Sequence, residues 1–550
     1  MFRHEIHAEK PIKDVPETDL ATSTEPSIVE NYLTDEARLI VGKAEKVFFP
    51  RTEAHIAKIL TEASKNKIRL TVSGAGTGIT GSRVPQGGIV LATERMTGVF
   101  ERGSTKNLVS YSDLGVKYTL YILEDAEKNE HYAIAPPGTP LEALKRIFDE
   151  KNLLYPPDTT EMTALLGGTV ATNASGARTF HYGCTRDYVR RLRVVLPSGD
   201  VLDIERGKVF AGEENKFDII LTSGERITVE LPAYKMPDLK KNAAGYYTKP
   251  GMDLIDLFIG SEGTLGVISE VEIKLESQVK NVLPVFAHFT SETDAIKFEK
   301  SLRNLSRSKK PDEVGIDALS IEFFDEGSVR LLRTKYPPSK IPTESKSAVF
   351  FEQEIPNEDV FNHLLENCVD LLESCNVLNT MASLGMDWLK EIKDIRHALP
   401  ELINTIVRSK GVHKVATDIA VPEGAFDKMM SYYHNVGKTA GISYAIFGHV
   451  GDNHLHFNFI PDSKETLAQA ERACALLWKK AVDLGGTITA EHGVGKKTYL
   501  ANGKRKPLLE LMYGVDGLRS IARIKHAFDP NHILNVGNII PISYLEDISR

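Results

Sequence analysis

"TVSGAGTGITGSRVP", residues 71–85, decides how the first half of this 550-residue chain is read. Gly76, Gly78 and Gly81 fit the G-x-G-x-x-G spacing of dinucleotide-binding turns, and "KIRLTV" before them reads as a short strand. A Rossmann turn needs a helix directly after the glycines, because the helix N-terminus holds the pyrophosphate. Here Pro85 and the Gly87-Gly88 pair forbid a helix, and "IVLA" reads as a second buried strand. Strand, glycine loop, strand still clusters backbone N–H groups, and such a nest binds phosphate without a helix. The stretch therefore points to an anion-binding loop outside the Rossmann fold, with a tight structural turn as the competing reading.

Working outward, "TEAHIAKILTEASKNK" (52–67) is an amphipathic helix, and "TPLEALKRIFDEKN" (139–152) is a second, with Thr139 as its expected N-cap. Strands dominate from about 190 to 275, with turns at Ser198-Gly199-Asp200 and Ser223-Gly224-Glu225. After 276 the texture changes to longer helices alternating with strands such as "KSAVFFEQEI" and "ISYAIFGHV". The expected organisation is an extended N-terminal arm over 1–35, a first domain over 36–275, an α+β domain over 276–515 and a closing segment over 516–550. The arm, rich in Pro, Thr, Ser and Glu, has no apolar core of the kind a secretory signal needs.

A net charge of −8 without a basic stripe argues against a nucleic-acid role. No apolar run is long enough to span a bilayer. Cys184, Cys368, Cys375 and Cys474 form no C-x-x-C pair, which argues against an iron–sulfur cluster and a disulfide scaffold and suits a reducing cytoplasm.

A second segment, "PPDTTEMTALLGGTVATNASGARTFHYGCTRDYV" (156–189), is dense in small residues that let a flat ligand approach the backbone. "KNAAGYY" (241–247) and "LFIGSEGTLGVISEVEIKL" (257–275) add further small-residue turns. Together the blocks resemble the FAD-binding domain of the vanillyl-alcohol oxidase superfamily. They are most similar to the branch of D-lactate dehydrogenase, the glycolate oxidase flavoprotein subunit and D-2-hydroxyglutarate dehydrogenase. That branch carries "TG.TG", "PPD", "GG.VATNA.G", "YG.TRDYV", "GSEGTLG" and a C-terminal "DP…LN.G", all present here in order over roughly 40–540.

The resemblance implies an α+β fold: an FAD-binding domain, a substrate or cap domain and a closing segment that packs back near the flavin. It implies that Ser73, Gly74, Ala75, Gly76, Thr77, Gly78, Gly81 and Ser82 surround the FAD pyrophosphate. Around the flavin it places Pro157, Asp158, Gly167, Gly168, Ala171, Thr172, Asn173, Ser175, Gly176 and Tyr182, with Glu262, Gly266, Val267, Ile268 and Asn535 completing the contacts. Residues 73–82 contain no His or Cys, and His181 and Cys184 match no known attachment position, so the FAD is expected to be non-covalent.

"FGHVGDNHLHFNF" (447–459) holds three histidines. On one continuous strand His454 and His456 would share a face and His449 would oppose them. A turn at Gly451-Asp452-Asn453 would instead let His449 and His456 converge. "ITAEHGVGKK" (488–497), after the Gly485-Gly486 helix stop, adds Glu491 and His492. Two imidazoles and a carboxylate make a catalytic metal set with an open position.

The similar branch carries "GH.GDGNLH" and "EHG.G" at these places. The resemblance implies that His449, His456 and Glu491 bind a divalent metal, Zn or Mn, and that His492 is the catalytic base. It further implies that Arg396 binds the substrate carboxylate. Where the branch has Gly-Asn, this chain has Asn453-His454, which leaves substrate preference open and makes His454 the second candidate for proton acceptor. Lys414 is a further candidate anion contact, displaced from the branch's lysine position.

The expected activity is FAD-dependent oxidation of a small D-2-hydroxy acid, D-lactate-like, to the 2-keto acid. Electrons would pass to a separate acceptor: a quinone, a cytochrome or an electron-transfer flavoprotein. The setting expected is the cytoplasm, or the inner membrane face as a peripheral protein, with a homodimer left open. The alternatives are a flavin-dependent alkyl transferase like alkyl-dihydroxyacetonephosphate synthase and a non-catalytic flavoprotein subunit of a redox complex.

Overall fold

Helix Glu53–Lys65 organises the first sheet. Its Ile56, Ile59, Leu60 and Ala63 recur at helical spacing and are buried, while Lys58, Glu62 and Lys65 lie outward. Each large apolar side chain on that stripe contributes about 1.5–3 kcal/mol relative to exposure. The Thr52 hydroxyl caps the helix by accepting from the His55 amide at 3.2 Å. In the computed structural model, which describes residues 4–12, 20–100, 102, 106–279, 281–310, 313–384 and 386–548, this helix links Lys46–Phe49 to Leu70–Ser73. Ile89–Ala92 lies between those strands, parallel to both, and Ala21–Ser23 adds an antiparallel edge. The glycine loop leaves the carboxyl end of Leu70–Ser73, where open parallel sheets bind ligands.

A seven-stranded antiparallel sheet follows, in the order Val201–Glu205, Val189–Val195, Val267–Ser277, Glu130–Ala135, Val116–Asp125 and Leu108–Asp113, with Leu153–Leu154 paired to Val267–Ser277. The N-terminal segment is docked on this half. Glu5–His7 joins Lys216–Ile220 and Arg226–Glu230 in a small sheet, and Pro26–Val29 turns helical. Residues 1–3 and 13–19 of the expected arm lie outside the described residues.

Helix Leu141–Asp149 corrects one expectation. Its N-cap is Pro140, not Thr139. Proline's φ of −64° fits the position, and the residue before a proline is pushed away from helical geometry. Thr139 is fully buried, and its carbonyl accepts from the Leu166 amide.

The second half is built on an eight-stranded sheet in the order Val377–Ala382, Asn281–Phe289, Ser347–Ile355, Ala318–Phe324, Tyr444–Gly448, His454–Phe459 and Val415–Ala416, with Ile419–Ala420 paired to His454–Phe459. Helices Glu292–Ser308, Phe426–Ala440 and Lys464–Asp483 pack their apolar faces on it. The closing segment then returns to the first sheet. The Leu70 amide donates to Ile533, the Asn535 amide donates to Leu70, and the Val72 amide donates to the Asn535 side chain at 2.7 Å. Among the described residues no helix is long and apolar enough to cross a membrane.

Candidate functional site

One cavity of ≈ 550 Å³ joins the two halves. Its walls include Gly74–Thr80 and Ser82 on one side, and Arg396, His449, His456, Glu491 and His492 on another. Gly167, Gly168, Ala171, Thr172, Ser175, Glu262, Gly266, Val267, Ile268 and Asn535 also line it.

The glycine loop is suited to an anion. Among the described residues, the amides of 75–80 donate to no protein acceptor, and the Gly81 amide is the one bound, to Asp35 at 2.7 Å. Free amides clustered on a cavity wall favour phosphate oxygens. A Cβ added at Gly78 or Gly168 would meet nothing within 4 Å, and one at Gly74 would touch only Leu165 at 3.9 Å. Neither packing nor backbone strain requires glycine at these three places, and their missing side chains widen the cavity. The residues therefore fit a dinucleotide.

Ser73, Gly81, Pro157, Asp158, Asn173, Gly176 and Tyr182, expected at the cofactor, do not line the cavity. They shape its walls from behind. The Ser73 carbonyl accepts from Thr93, and Gly81 takes the φ of +78° that its turn requires. A Cβ on Gly176 would sit 1.7 Å from the Asp158 carbonyl, so these chains touch only because Gly176 is bare, and Pro157 is buried beside them. Asn173 ends helix Leu166–Thr172 at φ 49° and accepts from the Arg186 amide, and the Tyr182 carbonyl accepts from Tyr188.

The histidines converge as the turn signal predicted. His449 follows Tyr444–Gly448, the chain reverses through Val450–Asp452 and Asn453 (φ 53°), and His454–Phe459 returns. His449 Nε2 and His456 Nε2 lie 3.4 Å and 3.3 Å from Glu491 Oε1. His454 Nδ1 lies 3.8 Å from Glu491 Oε2. His449, His454, His456 and Glu491 can place their ligand atoms within 4.8 Å of one another, and so can Asp418, His456, Glu491 and His492. A neutral-imidazole and carboxylate set of this kind fits a divalent ion.

Three charged residues that the sequence reading missed hold this cluster. Glu322, on Ala318–Phe324, accepts from His449 Nδ1 and faces Arg396 Nε at 3.1 Å. Burial raises its proton affinity, but Arg396 and His449 outweigh that and pull its carboxyl down to about 2. Asp418 accepts from His454 Nε2 at 2.8 Å, from the Thr489 hydroxyl at 2.7 Å and from the His492 amide at 2.9 Å. It also faces His492 Nδ1 at 3.2 Å. Despite complete burial, His492 and His454 hold its carboxyl well below the usual range. Lys241, with no exposed side chain, lies 2.8 Å from Glu491 Oε2. Despite burial, the Lys241 ammonium, and then His449, hold the Glu491 carboxyl well below its ordinary range. Glu322 carried a sequence signal: an acid inside the apolar run "ALSIEFF". Asp418 and Lys241 carried none.

His492 is 30% exposed and opens on the cavity, with Asp418 on Nδ1 at 3.2 Å and Glu491 Oε1 3.6 Å from Nε2. Arg396 is 12% exposed on helix Met386–Ser409, where His397, Pro400 and Asn404 share its cavity face. Lys414 and Lys497 line the same cavity, and neither has a carboxylate partner among the described residues. Burial, with Lys497 nearby, pushes the Lys414 ammonium down to about 8. Glu262 ties the halves together, accepting from the Ser82 hydroxyl and from the Val494 and Gly495 amides at 2.6–2.8 Å. His181 and Cys184, considered for a covalent flavin bond, lie elsewhere: His181 pairs with Asp317, and Cys184 is buried.

Residues 44–205 match the family model "FAD binding domain", and residues 298–539 match "FAD linked oxidases, C-terminal domain". The chain is 28% identical to the glycolate oxidase subunit GlcD of Bacillus subtilis, covering 90% of this chain and 88% of that one. It is 27% identical to a D-lactate dehydrogenase of Anaerostipes hadrus, covering 93% of each. It is 26% identical to a D-2-hydroxyglutarate dehydrogenase of Stutzerimonas stutzeri, covering 94% of this chain and 95% of that one. A solved alkyldihydroxyacetonephosphate synthase shares the fold, with a TM-score of 0.60 over 96% of this chain and 86% of that one at 14% identity.

Proposed function

Because the chain belongs to the FAD-linked oxidases of the vanillyl-alcohol oxidase type, we propose that it oxidises a D-2-hydroxy acid, D-lactate-like, to the 2-keto acid. The observation that carries this reading is the shared cavity: the anion cradle at 74–82 and the histidine–carboxylate cluster open on one space. In this reading residues 36–275 hold the cofactor and 276–515 the substrate and metal.

FAD, bound without a covalent link across the 74–82 loop and the 167–175 wall, would supply the two-electron acceptor for the hydride leaving the substrate α-carbon. A divalent metal on His449, His456 and Glu491 would supply a Lewis acid for the α-hydroxyl. The chain's own groups do the rest. Arg396, held by Glu322, presents its remaining N–H groups to the substrate carboxylate and orients the α-carbon. His492 Nε2 takes the hydroxyl proton, while Asp418 on Nδ1 fixes the ring and stabilises the resulting imidazolium. Loss of that proton and of the α-hydrogen with its electron pair leaves the ketone. In this reading the electrons next pass to a separate carrier, such as a quinone, a cytochrome or an electron-transfer flavoprotein.

The test is anaerobic mixing of the purified flavoprotein with D-lactate, D-2-hydroxyglutarate, glycolate and longer D-2-hydroxy acids. Bleaching of the visible flavin bands with keto-acid formation is expected, and flavin is expected in the supernatant after acid precipitation. Bound FAD that none of these acids reduces would overturn the oxidation reading, and product formed without net oxidation would favour an alkyl transferase.

A further inference from the structure

We propose that His454 is a fourth metal ligand through Nδ1, so that three imidazoles and one carboxylate hold the ion. The inference rests on the metal site of the preceding section and concerns a residue the similar branch lacks, since that branch carries Asn at this place.

His454 is 0% exposed, and it is absent from the cavity wall. It therefore cannot reach a substrate, which removes it as a second candidate base. Its ring is fixed from one side. Nε2 lies 2.8 Å from Asp418 Oδ1 and donates to that acceptor, which leaves Nδ1 as a bare lone pair.

Nδ1 is also a buried polar atom with no hydrogen-bond partner. Such an atom is costly to leave unmatched unless something binds it. It points into the cluster. Glu491 Oε2 is 3.8 Å away, and the ring centroids of His449 and His456 are 5.3 Å and 4.6 Å from that of His454. Its ligand atom belongs to the set lying within 4.8 Å of one another. Donors about 2.0–2.2 Å from one ion are separated by roughly 3–4 Å, so modest closure around an ion would bring all four to it.

The carboxylate behind the ring is the usual support of a metal-bound histidine, which gains ligand strength when its other nitrogen donates to an acid. His449 is backed in the same way by Glu322. The competing set would use Asp418 itself, but both its oxygens are already engaged: Oδ1 by His454, and Oδ2 by Thr489 and the amides of Glu491 and His492. Three neutral imidazoles select a borderline ion such as Zn²⁺ over the harder Mn²⁺.

The experiment compares the full-length flavoprotein with its His454→Asn variant, which restores the branch's residue. Metal-free protein is titrated with Zn²⁺ and Mn²⁺ against a chromophoric chelator, and Co²⁺ is used as a spectroscopic probe. The expected result is a Zn²⁺ Kd weakened beyond the roughly 10–100-fold typical of losing an outer partner. The Zn²⁺-over-Mn²⁺ preference should narrow, and the Co²⁺ visible bands should change, at unchanged FAD content. An unchanged Kd and Co²⁺ spectrum would overturn the proposal. X-ray absorption of the wild-type Zn²⁺ protein gives a reading independent of the variant's folding: three imidazoles support the proposal, and two refute it. A wild-type protein that takes up no divalent ion would sink the metal site itself, a failure distinct from a two-imidazole site.

Discussion

Glu322→Gln separates the two jobs that one carboxylate performs, holding His449 and holding Arg396. Glutamine keeps the shape but has one acceptor. If its carbonyl accepts from His449 Nδ1, its amide group faces the Arg396 Nε–H, donor against donor. The charge also disappears. The Glu322 carboxyl is pulled from 4.5 to about 2, and at about 1.36 kcal/mol per pKa unit this corresponds to about 3 kcal/mol at pH 7. The sign follows from a depressed acid. The contribution is complete above the unfolded value near 4.5 and is lost as pH falls through about 2, so it is roughly halved or less by pH 3. Urea unfolding of wild type and variant should therefore differ by about 3 kcal/mol at pH 7 and by about half of that or less at pH 3. Metal affinity, read by chelator competition, should fall roughly 10–100-fold as His449 loses its support. A variant as stable as wild type at pH 7, with the same metal affinity and the same substrate KM, would refute the claim that Glu322 positions either group.

His492→Ala should lower kcat and kcat/KM for flavin reduction about 10²- to 10⁴-fold with little change in KM, and rescue by excess metal would show instead that His492 only orients Glu491. Lys414 should make KM for an anionic substrate rise above pH 8, towards tenfold per unit, as its ammonium is lost. Lys414→Met should raise KM at pH 7 and flatten that profile, and an unaltered profile would remove Lys414 from substrate binding. Glu262→Ala orphans two buried amides at about 1–3 kcal/mol each, so denaturant stability should fall and FAD be lost more readily; stability within about 0.5 kcal/mol of wild type would contradict the latch.

The parts of this site legible in sequence are those with a short spacing. Asn453 can take a left-handed turn, so His449 and His456 could be folded together from eight residues of sequence alone. The glycine loop was legible for a similar reason, since Pro85 and Gly87-Gly88 exclude a helix locally. What sequence did not reveal are partners set by long-range pairing. Glu322 reaches His449 across 127 residues, Asp418 reaches His492 across 74, and Lys241 reaches Glu491 across 250. No local pattern encodes those meetings; the order of strands in the eight-stranded sheet does. Thr139 failed for another reason: a hydroxyl before a helix looks like a cap until the intervening proline takes the position. The resemblance implied Glu262 as a cofactor contact; it lines the cavity, and the structure adds a second task that sequence did not show, accepting from the Val494 and Gly495 amides.

The return of residues 533–535 to the first sheet has a consequence for synthesis. The amide of Val72 waits for a side chain 463 positions later. Closing so long a loop is thermodynamically mild, about 0.6 kcal/mol per doubling of length, but kinetically late. While the ribosome is still reading the second half, Leu70–Ser73 emerges as a sheet edge with its backbone groups unmatched, open to pairing with another nascent chain. The cofactor loop hangs from that same strand. Flavin capture is thereby placed after translation, and a fragment ending near residue 275 would carry every glycine of the cradle and still present an unfinished edge.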